Sequence, residues 1–95
     1  MILHILNKSP DHASTLQQCL NAIKPADSLI LIEDGVYALS YQAVVDRLPA
    51  KVHLYVLQDD CVARAISINS SRVSAVDYPR FVELVTQHQK TLSWL

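Results

Sequence analysis

One glycine, Gly35, serves a chain of 95 residues. Loops that cradle phosphate need two or three, which excludes that class of nucleotide site. Charge is scarce as well: charged residues make up 18%, against an average of about 25%, and the eight Lys and Arg are never adjacent. Without a basic stripe the chain has no electrostatic footprint for direct nucleic-acid binding. No apolar run approaches the roughly 18 residues that cross a membrane. The opening M-I-L-H-I-L-N-K also lacks the basic segment and small-residue cleavage site of a secretory signal. The expected compartment is therefore the cytoplasm, whose reducing conditions keep Cys19 and Cys61 as free thiols. Catalytic signatures are missing too. There is no G-x-S-x-G elbow and no Cys–His pairing, and no H-x-x-x-H or C-x-x-C joins His4, His12, His53 and His88. Neither a metal nor another cofactor is expected.

What the chain does have is apolar residues, 51% of the total. A domain this small buries a limited share of its surface, so that composition leaves apolar surface to spare, and a partner subunit is its natural cover. Residues 1–95 read as one domain, with no repeat and no linker.

The stretch S-L-I-L-I-E-D-G-V at Ser28 to Val36 organises the rest. Its apolar run reads as a strand over Ser28–Ile32 buried on both faces, ending in two carboxylates and the lone glycine. Ile2 to Leu6 reads as an earlier strand, followed by a helix with Leu16, Cys19, Leu20 and Ile23 on one face. After Gly35, the set Tyr37, Tyr41, Val44, Val45 and Leu48 predicts one continuous helix closed by Pro49. Val52 to Leu57 is a further strand. A short helix carrying Cys61, Val62 and Ile66 comes next, with Asp59 or Asp60 as its N-cap. Ile68 to Arg72 is loop and Val73 to Val76 a short strand. Asp77-Tyr78-Pro79 starts a helix whose buried stripe is Phe81, Leu84, Val85 and His88, and Leu92 to Leu95 is a last strand. This alternation predicts a three-layer α/β/α domain with a mainly parallel sheet of four to five strands.

Four places are candidates for chemistry or contact. Cys61 falls in the first turn of a helix, where the dipole favours thiolate, but Asp59 and Asp60 oppose this and Arg64 offsets them only in part. Cys19 lies on a stripe facing the sheet, where a thiol usually behaves as a small apolar residue. Glu33-Asp34-Gly35 closes a parallel strand, the usual place for a ligand loop in such sheets, although a turn seating the next helix explains it as well. There Gly35 supplies either a positive φ or a tight turn. Tyr37 and Tyr41 are candidate interface anchors, being the aromatic type enriched at protein contacts.

Several stretches taken together carry a family likeness. L-H-I-L-N-K-S-P at Leu3 to Pro10, L-I-L-I-E-D-G-V-Y at Leu29 to Tyr37 and V-D-Y-P-R-F-V-E-L at Val76 to Leu84 resemble the TusB/DsrH family of sulfur-relay subunits. L-Y-V-L-Q-D-D-C-V-A-R-A at Leu54 to Ala65 fits as well, with Ala65 standing where a glycine is common. The resemblance implies a DsrEFH-like domain within a TusBCD-type complex. In that assembly two homologous sister subunits, TusC-like and TusD-like, join this one as a dimer of heterotrimers. The complex passes persulfide sulfur to a TusE-like acceptor for 2-thiolation of tRNA wobble uridine. It also implies that the main acceptor cysteine belongs to a sister chain, leaving this subunit mostly structural. The alternatives are a DsrH-type subunit of a dissimilatory sulfur-oxidation relay, or a sulfur carrier acting through Cys19, which matches the first-helix cysteine of DsrH-type members.

Overall fold

The apolar run Ile2–Leu6 forms strand β1, and the polar break Asn7–Asp11 leads to helix α1, Ala13–Ala22. The computed structural model describes residues 1–11 and 13–94. His12, and the Leu95 end of the last predicted strand, lie outside the described residues. A turn over Lys24–Asp27 hands the chain to β2, Ser28–Leu31, all four of whose residues are buried. This is the two-faced burial expected of an unbroken apolar run in a parallel sheet. β3, His53–Leu57, is followed at once by α3, Gln58–Ala63. β4, Val73–Val76, leads into α4, Tyr78–Gln87, and β5, Lys90–Trp94, closes the order. Asp77 caps α4, its carboxylate accepting from the Arg80 amide at 2.9 Å, and Pro79 sits in the first turn.

The five strands are all parallel, in the order β4-β3-β2-β1-β5. From β1 to β4 each crossover steps the same way across the sheet. The β4-to-β5 connection returns past the whole sheet to the free side of β1. Right-handed crossovers in opposite directions place their helices on opposite faces. The packing follows: Cys19 of α1, Ile23 just after it, Val45 of α2 (Gln42–Arg47) and Cys61 of α3 share one core with Leu6, Leu29, Leu31, Leu54 and Val56. Leu84 of α4 packs on Leu3, Ile30 and Val76 on the other side. Among the described residues no helix is long and apolar enough to cross a membrane.

Three local expectations change. The predicted helix from Tyr37 to Leu48 is two pieces, a 3-10 segment Glu33–Ser40 and α2, broken at Tyr41 with extended φ −116° and ψ 95°. The residues that must face the core are Val36, Ala38, Val45 and Leu48. In one continuous α-helix Val36 and Val45 would lie about two and a half turns apart, on opposite faces. The break at Tyr41 resets the phase and lets both point inward, while Tyr37 and Tyr41 turn outward. The carbonyls at the end of α2 are then closed by Arg72, whose guanidinium donates to Val45 O (3.2 Å), Leu48 O (3.0 Å) and Pro49 O.

The second change concerns α3. Neither Asp59 nor Asp60 caps it, since it starts at Gln58 and its cap position, Leu57, offers no side-chain acceptor. Of the apolar residues expected on this helix, Val62 is exposed and Ile66 lies beyond its end at Ala63. On α4, Val85 is also exposed, and the buried stripe narrows to Leu84 with Phe81 and His88 half-buried, because this helix meets the sheet alone.

Candidate functional site

Parallel sheets present sites at the carboxyl ends of their strands. Here the ends of β2 and β3 are tied to each other. The Glu33 amide donates to the Asp60 carboxylate at 2.6 Å, Arg64 Nε donates to Asp34 at 2.9 Å, and Arg64 Nη1 reaches the Asp60 carbonyl at 3.3 Å. Asp60 thus holds the turn after β2 rather than its own helix. That turn carries a left-handed residue, and it is Glu33 (φ 49°), not Gly35. Gly35 serves a close approach instead: a β-carbon there would overlap the carbonyl oxygen of Leu6 and come within 2.9 Å of its carbon.

Both thiols lie in the core on the three-helix face. Cys61, 2% exposed under the tied turns, is pushed up by burial and by the Asp60 carboxylate, and pulled back by Arg64. Cys19 is fully buried, and burial pushes its thiol up to about 12. At pH 7 that leaves roughly one thiolate in 10⁵. Burial is what moves the Cys19 thiol, and beside burial only Asp60 and Arg64 act on Cys61 among the described residues. Among the described residues no group of three or more His, Cys, Asp or Glu is placed to hold a metal.

Tyr37 (37% exposed) and Tyr41 (52%) do come together. With Asp34, Ser9, Pro10, Asp11 and Ser40 they line an open groove of about 490 Å³ beside the end of β1. Its walls offer two aromatic rings and two carboxylates. This is an open surface of aromatic and polar groups, not a closed pocket around a reactive atom.

A buried polar cluster at the amino end of the sheet has no counterpart in the motifs. Asp27 accepts from the amides of Ile2 (3.1 Å) and Lys24 (3.1 Å) and from His4 Nε2 (3.0 Å), while Trp94 Nε1 donates to His4 Nδ1 at 3.2 Å. Burial pushes the Asp27 carboxyl up, but the His4 bond and the two amides outweigh it and hold the group below the usual carboxylate value. On the opposite face His88 Nδ1 donates to Leu84 O (2.6 Å), so Nε2 accepts from the buried Ser28 hydroxyl (2.8 Å). The signal for the first cluster was present in M-I-L-H-I-L. A histidine inside a wholly apolar strand must find partners or leave polar atoms stranded.

The description "DsrH like protein" belongs to the family model that matches residues 8–91, most of the chain. The chain belongs to the DsrH-like family. Relatives of this TusB/DsrH family match it from end to end. Protein TusB of Pectobacterium parmentieri is 40% identical over 96 residues, covering 98% of this chain and 100% of that protein. Protein TusB of Serratia proteamaculans (strain 568) is 35% identical with the same coverage. Among solved structures, the solution structure of Tm0979 from Thermotoga maritima is similar, with a TM-score of 0.66 and 30% identity over 95% of this chain and 97% of that one. The crystal structure of the ychN protein from E. coli has a TM-score of 0.79 over 97% of each chain, and at 18% identity it shows the shared fold. The DsrH-like match spans the tied turns, both cysteines and the tyrosine groove.

Proposed function

We propose that this chain is a subunit of a cytoplasmic sulfur-relay complex serving 2-thiolation of tRNA wobble uridine, and that it contributes fold and contact surface rather than the main acceptor thiol. The full-length likeness to proteins named TusB carries the reading. Its partners are two homologous sister chains, TusC-like and TusD-like, in a dimer of heterotrimers, with a TusE-like protein taking sulfur onward. The buried state of both cysteines supports the structural role. Persulfide transfer needs a thiolate to attack the outer sulfur of the donor, and a thiol pushed up to about 12 attacks poorly.

Persulfide labelling of the assembled complex followed by peptide mapping tests the role. The expected label sits on a sister subunit and not on Cys19 or Cys61. A label on Cys19 would make this chain a carrier. Deleting its gene should abolish 2-thiouridine in the affected tRNAs, read by mass spectrometry of nucleosides. The description of the matching family model favours a second reading, a DsrH-type subunit of dissimilatory sulfur oxidation. Unchanged 2-thiouridine with lost sulfur oxidation in the deletion strain would select it.

A further inference from the structure

The edge strand β5 pairs with β1 alone, and Lys90, Thr91, Leu92 and Ser93 are all exposed. Trp94 is the residue of this strand that turns into the core, where its indole meets the buried His4 ring. The protons of that ring are set by its neighbours. Asp27 can only accept, so Nε2 carries hydrogen; the indole N–H can only donate, so Nδ1 is bare. The ring that satisfies both partners is therefore the neutral one. A second proton, taken from solvent, can go only to Nδ1, where it would point at the indole N–H. The two rings lie 17° from parallel with centroids 6.2 Å apart, and the N–H lies in the indole plane, so they meet edge to edge. In that arrangement an imidazolium faces the positive rim of the indole, not its negative face.

The groups around His4 decide which partner yields. From the turn before β2 comes Asp27, fixed by two amides and held ionised, with Lys24 lending its backbone amide. α1 brings Cys19 as its one titratable residue, β2 brings none, and β5 brings Lys90, exposed and paired with Ile2 at the far end of the strand. An imidazolium would thus be compensated by Asp27 and keep its place, and the indole would have to leave. We infer that His4 is a proton-operated latch on β5: the neutral ring holds Trp94 and with it the edge strand, and protonation at Nδ1 frees both while the His4–Asp27 pair stays.

The test is a pH titration of the full ¹⁵N-labelled chain, from neutrality down to the onset of unfolding. It follows the His4 ring nitrogens, the Trp94 indole N–H and amide exchange along the strands, with the His88 ring as internal comparison. The expected result is that the indole signal moves with the same midpoint as His4 Nδ1. Amide protection in β5 should then fall about fivefold, the loss of one hydrogen bond, while β2 and β3 keep theirs. His4→Gln, which cannot take the proton, should remove the step. If that variant does not fold, the wild-type titration decides alone, because all signals are read in one molecule. An indole and a β5 that stay fixed while His4 protonates, or a His4 that stays neutral until the whole chain unfolds, would overturn the latch.

Discussion

Left-handed backbone falls in this chain on residues that carry a β-carbon: Ala26 (φ 75°), Glu33 (φ 49°) and Ala65 (φ 54°). Ala65 follows the end of α3, where Ile66 N bonds Cys61 O (2.9 Å) and Ala65 N bonds Val62 O (3.2 Å), the paired bonds that end a helix on a left-handed residue. The position is exposed, so glycine would relieve strain and lose no packing. Ala65→Gly should stabilise the chain by about 1 kcal/mol, read from urea midpoints. Gly35 is the converse. Gly35→Ala forces a methyl group onto the Leu6 carbonyl and should cost about 3 kcal/mol in the same assay. Asp27 sets the response to acid. Its folded carboxyl titrates below the ordinary value of about 3.9, so its contribution is complete above that pH and is lost as pH falls through the lower folded value. The stability gap between wild type and Asp27→Asn should therefore narrow as pH falls below about 3.9.

At the scale of elements, periodicity in the sequence placed the alternation of strands and helices but merged two helical segments into one. The Tyr37 to Leu48 pattern fits a single helix, and only the sheet shows why it breaks: Val36 and Val45 both have to reach the same core. Burial demands made by distant strands are invisible to a local pattern, and the same holds for Asp60, whose partner is 27 positions away. The Ala65 backbone, by contrast, was foreshadowed by the family's common glycine at that place. The outcome of the break is that Tyr37 and Tyr41 face solvent on one groove. Replacing both by Ser should leave the urea midpoint within about 0.5 kcal/mol of wild type, as exposed substitutions usually do. It should weaken assembly with the proposed sister subunits by much more, measured by titrating the dissociation of the purified complex.

For the molecule as a whole, strands alternating with helical patterns disclosed a parallel α/β sheet, and the structure has one. The strand order was not legible, because nothing in residues 77–89 says that α4 carries the chain back across the sheet. That return leaves one helix over a five-stranded face, with Ile5, Tyr55 and Leu57 only partly covered and Tyr78 and Val82 exposed on the helix itself. Surplus apolar surface was the expectation from composition, and here it is located. The His4–Asp27–Trp94 cluster was illegible for another reason: its members stand at positions 4, 27 and 94, and only the β2-β1-β5 pairing brings them together. Native mass spectrometry of this chain co-expressed with the two proposed sister subunits tests the central claim most directly. The account predicts one complex containing all three chains in equal numbers, two copies of each. A stable monomer that ignores the other two chains would contradict it.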